Sequence, residues 1–263
     1  MMKQVFNPKN RDLSLGENEV HIWNIDLDKF NKQNELFKKI LSDDELIRAN
    51  KFHFEIDKDR FICGRRLLRL LIYAYTGILP KKITFSFNNF GKPELSKELS
   101  NYNLNFNMSH SKNMLCLAFV KNEAIGIDIE VTKPINDHLE IANRYFSISE
   151  IEQLNSFPDD KVLEGFYTCW TSKEAVIKLL GQGLSFPLKD FDVKLKSINI
   201  DQTYRYQLRV KNRDEIFFIE VFRTQMNLFG ACAINMESFK TIYWFFEDST
   251  YSINNFIVDY LLQ

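Results

Sequence analysis

Cysteine is scarce in this chain and forms no pattern typical of a metal site or a disulfide framework. The four cysteines lie far apart and include no CxxC pair, which excludes the usual spacing of zinc ligands. We therefore expect reduced, mostly buried thiols in a cytoplasmic protein.

Long apolar runs and an excess of one charge are also missing. The 34 basic and 35 acidic residues nearly cancel, which argues against a general basic surface for nucleic acid or membrane. The apolar runs are too short to span a bilayer, and the first twelve residues do not have the pattern of a signal peptide. We expect a cytoplasmic monomer without nucleic-acid or membrane partners.

Helical and strand-like patterns alternate along both halves of the chain. The predicted helices are Asp43–Ala49, Arg60–Tyr75, Asp137–Tyr145, Ile148–Leu154 and Lys161–Leu180. The predicted strands are Val20–Ile25, Ile83–Asn88, Met114–Val120, Ala124–Glu130, Phe191–Leu195, Tyr204–Val210, Glu215–Arg223 and Leu228–Ala233. The third and fourth strands are spaced as a hairpin, and residues 241–263 have no clear assignment. This pattern predicts an α+β fold of two α/β-type halves, residues 1–122 and 123–263.

Two acidic side chains share one face of a predicted strand. In the segment GIDIE at residues 126–130, alternation places Asp128 and Glu130 on one face and two isoleucines on the other. Neighbouring carboxylates repel unless a proton or cation lies between them, and such oxygen ligands suit Mg²⁺ beside substrate phosphates. Taken alone, the pair is more simply explained as two solvated acids at a strand end.

A polar helix face follows in the segment WTSKEAVIK at residues 170–178. At 3.6 residues per turn, Thr171, Glu174 and Lys178 lie on one face. Glu174 can supply a third carboxylate to a metal, and Lys178 can reach a phosphate as a point charge. An ordinary Glu–Lys pair, worth a few tenths of a kcal/mol, explains the same spacing.

Groups suited to anions precede the acidic pair. In the segment NMSHS at residues 107–111, Ser109 and His110 can hold a phosphate just before a strand. Arg60 at a helix start and Lys92 in a Gly-Lys-Pro turn are further candidate cations. A serine hydrolase is not indicated, because no G-x-S-x-G elbow is present and adjacent residues of an extended chain point apart. A serine-rich turn and solvated surface charges explain the same residues when each is read alone.

Together and in this order, these segments resemble the 4′-phosphopantetheinyl transferase superfamily. The similarity spans about residues 60–193 and rests on GKP at 91–93, FNMSHS at 106–111, GIDIE at 126–130 and the run from WTSKEA to GQGL at 170–184. It is closest to the double-length branch that activates surfactin synthetase and similar peptide synthetases. The resemblance implies two pseudo-symmetric halves with the active site in the cleft between them.

The resemblance also implies which residues bind the metal and coenzyme A. The Mg²⁺ ligands correspond to Asp128, Glu130 and Glu174. The groups that hold the 3′-phosphate and adenine end correspond to Arg60, Lys92, Ser109 and His110. No motif places the lysines near the N-terminus, such as Lys38 and Lys39, that can touch the same phosphate.

The implied reaction transfers the 4′-phosphopantetheine arm of coenzyme A to a serine hydroxyl of an apo acyl or peptidyl carrier protein and releases 3′,5′-ADP. Lys178 would lie on the pyrophosphate and protonate the leaving group. Glu150 matches a glutamate that is a candidate base for the carrier serine, although its S-x-x-E context is also a capping box with Ser147. A metal-polarised water is the alternative base.

By the same resemblance, the N-terminal half would contact coenzyme A, while the C-terminal half would carry the Mg²⁺ site, the catalytic helix and the carrier docking surface near residues 131–146. The sequence does not indicate which carrier or pathway is served, nonribosomal peptide, polyketide or another, or whether Mn²⁺ replaces Mg²⁺. Two other functions stay open at this point. One is a Mg²⁺-dependent nucleotide phosphohydrolase, and the other is an inactive module that binds coenzyme A or a carrier.

Overall fold

The structure is a computed structural model that describes residues 1–6, 13–29, 40–135, 137–224 and 227–246. Lys38 and Lys39 lie outside the described residues, as does the C-terminal segment from residue 247 onward.

Five α-helices and eleven strands are found in this described part. The helices are α1 (Asp43–Ala49), α2 (Glu55–Thr76), α3 (His138–Tyr145), α4 (Ile148–Asn155) and α5 (Val162–Leu180). The strands are β1 (Lys3–Phe6), β2 (Glu19–Asp26), β3 (Phe85–Phe87), β4 (Pro93–Leu95), β5 (Leu104–Ser111), β6 (Met114–Lys121), β7 (Ile125–Val131), β8 (Thr203–Arg209), β9 (Ile216–Thr224), β10 (Leu228–Ile234) and β11 (Lys240–Phe246). The predicted α+β class with two subdomains is confirmed.

Two sheets pack face to face and each carries one long helix on its outer side. The first sheet has the order β1-β11-β2-β6-β5 and the second has the order β7-β10-β9-β8. One apolar cluster joins α2 to the first sheet, a second lies between the sheets, and a third joins the second sheet to α5. Strand alternation explains this layering, because successive side chains of β6 enter the first and second clusters in turn.

The predicted hairpin between the third and fourth strands is wrong. β6 pairs with β2 on one side and β5 on the other, so neither of its edges is open to β7. β7 pairs instead with β10 of the second sheet, and the short connection between β6 and β7 crosses from one sheet to the other.

Two further predictions of local structure are wrong. Residues 107–111 are part of strand β5, not a turn before a strand. Residues 191–195 form no regular strand, because the N–H groups of Val193 and Leu195 donate to Glu150 and Gln153 of α4 and not to another strand.

The end of the described chain returns to the first sheet. β11 pairs in parallel with both β1 and β2, although the other described strands after residue 123 belong to the second sheet. A hydrogen-bonded group around Glu220 joins β11 to the second sheet, since Thr241 and Tyr243 both donate to this buried carboxylate.

Glu150, a predicted base, is sealed inside the C-terminal half. Its side chain is fully buried, and Oε1 lies 2.8 Å from Nζ of the equally buried Lys173. The Ser147 N–H donates to Oε2 at 2.8 Å and the Val193 N–H donates to Oε1 at 2.7 Å. Lys173 also donates to the carbonyl oxygens of Leu188 and Phe191. This carboxylate ties α4, α5 and the segment 188–193 together in the interior of the C-terminal half.

We predict that Lys173→Met lowers the free energy of unfolding by about 3–5 kcal/mol, because it leaves the Glu150 charge buried without its partner. The control is Lys121→Met, which removes an exposed pair with Glu17 and should cost about 0–1 kcal/mol. Urea unfolding followed by circular dichroism measures both. Equal losses in the two variants would show that Lys173 does not anchor the fold.

Candidate active site

The candidate site forms where β7 meets the C-terminal turns of α5. A Cβ atom on Gly126 would lie 2.0 Å from the Ala175 carbonyl oxygen and 2.4 Å from the Leu179 nitrogen, so only glycine permits this approach. Strand alternation places Asp128 and Glu130 on the same face as Gly126. The two acids therefore face the helix that carries Glu174 and Lys178.

The centre of the site is a hydrogen-bonded group of three side chains. Lys178 Nζ lies 2.6 Å from Asp128 Oδ1 and donates to Ser109 Oγ at 2.9 Å. The Ser109 hydroxyl donates to the same Asp128 oxygen at 2.8 Å. The second oxygen, Asp128 Oδ2, is buried and has no hydrogen-bond partner among the described residues.

Two glutamates beside this group, Glu130 and Glu174, have raised pKa values. Burial and the nearby Asp128 carboxylate raise the pKa of Glu174 to about 7, although Lys178 acts in the opposite direction. Burial raises the pKa of Glu130, with a smaller contribution from Asp128. Lys178 acts on both glutamates, and Lys133 acts more weakly on Glu130. The pKa values stay raised all the same, and such an acidic site favours a further cation or a proton.

The donor set fits a hard cation such as Mg²⁺, because it consists of carboxylate oxygens and one of them is buried without a partner. Among the residues that the structure describes, no three acidic, histidine or cysteine side chains are already gathered as a metal site. Instead, the Lys178 ammonium is the cation in contact with Asp128.

A cavity of about 470 Å³ lies between α2 and the outer face of β5. Its apolar lining consists of Leu27, Phe52, Phe61, Met108 and Leu115, and its charged or polar lining includes Asp57, Arg60, Arg65, His110 and Lys112. The Arg60 side chain is three-quarters buried, 4.0 Å from Asp28 Oδ1, and its Nε has no hydrogen-bond partner in the described part of the chain. An anion with an apolar, planar portion matches this lining.

The structure does not bring the four predicted phosphate-binding residues together. Arg60 and His110 line the cavity, whereas Ser109 lies with Asp128 and Lys178, because neighbouring residues of a strand point to opposite faces. Lys92 lies apart from the cavity, at the Gly126 end of the β7–α5 junction, where Nζ donates to the carbonyl oxygens of Ile125 and Leu179. Glu150 likewise lies apart from Asp128, Glu130 and Glu174.

Sequence reasoning missed two features of the site. Ser111 and Asn107 contact β7 from β5, and their alternation with Met108 and His110 is a strand signal that the interpretation as a serine-rich turn overlooked. Lys112 lines the cavity from a two-residue turn between β5 and β6 with a φ of 53°. A two-residue spacing between alternating segments is the signal that predicts such a turn.

The described helices include none long and apolar enough to cross a membrane.

Comparison with known proteins identifies the family to which this geometry belongs. Residues 124–224 match the model of the 4′-phosphopantetheinyl transferase superfamily, and residues 28–122 match that of the 4′-phosphopantetheinyl transferase N-terminal region. The 4′-phosphopantetheinyl transferase HetI of a Nostoc species is 37% identical over 195 residues, which are 74% of this chain and 82% of HetI. The transferase Sfp of Bacillus subtilis is 37% identical over 164 residues, 62% of this chain and 70% of Sfp. A mouse relative, the L-aminoadipate-semialdehyde dehydrogenase-phosphopantetheinyl transferase, is 32% identical over 190 residues, 68% of this chain and 62% of that protein. With matches to both halves of the chain and a relative that is 37% identical over 82% of its length, the chain belongs to the 4′-phosphopantetheinyl transferase superfamily and is an enzyme of that transferase class.

Proposed function

We propose that this enzyme transfers the 4′-phosphopantetheine arm of coenzyme A to a serine hydroxyl of an apo carrier protein, releases 3′,5′-ADP and depends on Mg²⁺. The observation that carries the proposal is the meeting of Asp128, Glu130, Glu174 and Lys178 at the junction of β7 and α5. The similarity to the 4′-phosphopantetheinyl transferases HetI and Sfp supports the same transfer.

In this proposal the carboxylates of Asp128, Glu130 and Glu174 hold Mg²⁺. The ion, when bound, would neutralise the pyrophosphate of coenzyme A and orient it for displacement. The chain's own cation, Lys178, would move from Asp128 to the pyrophosphate and stabilise the charge that develops on the departing oxygen.

The proposed transfer replaces one phosphorus–oxygen bond of coenzyme A with another and releases one proton from the carrier serine. The serine oxygen of the carrier forms a bond to the phosphorus nearer the pantetheine arm, and the bond from that phosphorus to the 3′,5′-ADP oxygen breaks. The serine proton would pass to a water held beside the carboxylates of Asp128, Glu130 and Glu174, and from that water to solvent. Glu150 is not assigned this role, since its carboxylate is fully buried against Lys173.

The two halves would divide the work. Residues 1–122 supply the cavity of Arg60 and His110 for the 3′-phosphate and adenine end, and residues 123–263 supply the Mg²⁺ ligands, the catalytic helix and the docking surface. We further propose that the enzyme acts as a cytoplasmic monomer.

Incubation with coenzyme A, Mg²⁺ and a panel of apo carrier proteins, followed by intact mass measurement, tests the reaction. We expect one added phosphopantetheine per carrier. Asp128→Asn and Glu174→Gln should slow this transfer by roughly 100-fold or more, because each removes a charged oxygen group of the site. Glu152→Gln, an exposed glutamate of α4, is the matched control and should leave the rate unchanged. Hydrolysis of coenzyme A without a carrier would contradict transfer and favour a phosphohydrolase.

We expect Arg60→Ala and His110→Ala each to raise the KM for coenzyme A about tenfold with little change in kcat, because a charged hydrogen bond to phosphate contributes roughly 1.5–3 kcal/mol. Neither variant should change the KM for coenzyme A that lacks the 3′-phosphate. Steady-state kinetics with both substrates measure this difference. Lys58→Ala removes a lysine of the same helix that pairs with Glu55, and it serves as the control. A tenfold loss for both substrates would place the 3′-phosphate elsewhere.

Carrier docking is proposed beside α3 and the start of α4. Leu139 and Ile148 are exposed there, by 47% and 78%, close in the chain to Lys133 and Arg144, which can steer an acidic partner. Ile148→Asp should therefore lower kcat/KM for the carrier several-fold while the KM for coenzyme A stays constant. Ile200→Asp, at an isoleucine outside this region that is 47% exposed, is the control. Equal effects of the two variants on the carrier reaction would place docking on another surface.

A further inference from the structure

β7 is an edge strand, and side chains of β5 accept hydrogen bonds from those of its N–H groups that face away from β10. It lies at the end of the second sheet, and β5 lies at the end of the first, so the two edges approach each other without forming a backbone ladder. The acceptors on β5 are Asn107 Oδ1, Ser109 Oγ and Ser111 Oγ, which take the N–H groups of Ile127, Ile129 and Val131 at 2.9, 3.4 and 3.0 Å. We call these three contacts the polar seam.

Two of the three β5 side chains in the polar seam also contact a carboxylate of β7. Ser109 donates to Asp128 Oδ1 at 2.8 Å and Ser111 donates to Glu130 Oε2 at 2.6 Å. A serine hydroxyl has a single proton to donate, so a hydroxyl that accepts a backbone N–H can direct that proton to the carboxylate. Asn107 contacts the strand but neither carboxylate.

The two carboxylates differ in how they are held. Asp128 has two side-chain donors, Ser109 and Lys178. Within the described part of the chain, Ser111 is the one hydrogen-bond donor to the Glu130 carboxylate. The orientation of Glu130 therefore depends on a residue of the other sheet.

We propose that Ser111 is a positioning residue of the active site: by accepting the Val131 N–H and donating to Glu130 Oε2, it orients this carboxylate from the N-terminal sheet for binding of the divalent cation. The inference rests on the proposed function, in which Glu130 is a ligand. It would make cation affinity a property of the interface between the two sheets.

The test compares Ser111→Ala with Asn107→Ala. Both remove one contact of the polar seam, but Ser111→Ala also removes the donor to Glu130. Calorimetric titration of Mg²⁺ into the full-length enzyme saturated with coenzyme A should show affinity weakened about tenfold for Ser111→Ala and unchanged for Asn107→Ala. Both variants should lower Tm, because both leave an N–H of β7 without its acceptor.

A pair of variants of equal shape separates the hydroxyl from packing. Ser111→Thr keeps the donor and should retain near-normal Mg²⁺ affinity, whereas Ser111→Val, which differs from it by the hydroxyl alone, should show the same tenfold loss as Ser111→Ala. In transfer assays, the loss should appear as a higher Mg²⁺ concentration for half-maximal rate, with the KM for coenzyme A at saturating Mg²⁺ unchanged.

The outcomes distinguish this inference from the proposed function. Equal Mg²⁺ affinity in the Thr and Val variants, or an equal loss in Ser111→Ala and Asn107→Ala, would overturn the positioning role even if the wild-type enzyme modifies carriers normally. Failure of the wild-type enzyme to modify any carrier would count against the proposed function, while the calorimetric comparison would still decide the role of Ser111.

Discussion

At Gly126, no side chain fits between β7 and the last turns of α5. The missing side chain allows the strand to touch the helix backbone at Ala175 and Leu179, and this approach brings Asp128 and Lys178 within hydrogen-bond distance of each other. Asp128 follows Gly126 on the same face of the strand, and Lys178 lies in the turn of helix that the strand contacts. A side chain at residue 126 would separate the strand from the helix and with it the carboxylates from their cation.

The polar seam addresses a second constraint, which is that an edge strand with unpaired N–H groups loses stability when it is buried. Side chains of β5 accept hydrogen bonds from those groups without extending either sheet. The same side chains then reach the acidic pair. The hydroxyls of Ser109 and Ser111 thus have two roles: each accepts a hydrogen bond from an N–H group of β7, and each donates one to an acidic side chain.

Two neighbouring residues of α5 show how burial separates structural charges from reactive ones. Lys173 points into the C-terminal half, where Glu150 and two carbonyl oxygens satisfy its ammonium. Glu174 is rotated by about 100° along the helix and lies among other acids, where burial and Asp128 raise its pKa to about 7. The buried pair of Lys173 and Glu150 has all its hydrogen bonds made within the protein and is not available to a proton or a ligand. Glu174 lies among acids whose negative charge is not fully balanced, and it can take up a proton or a cation.

Local patterns in the sequence determined the α+β class, most helices and strands, the capping box at Ser147 and the separate pairs Asp128–Glu130 and Glu174–Lys178, because 2.0- and 3.6-residue periods fix which neighbours share a face. The alternation argument also determined that Ser109 and His110 point apart, as the structure has them. Only the tertiary structure decided that β7 pairs with β10 and not β6, and that Glu150 is buried against Lys173. It also decided that Arg60 and His110 share one cavity, whereas Ser109 contacts Asp128. These outcomes depend on which sheet edges are already occupied and on contacts between residues far apart in the chain, and no local period encodes either.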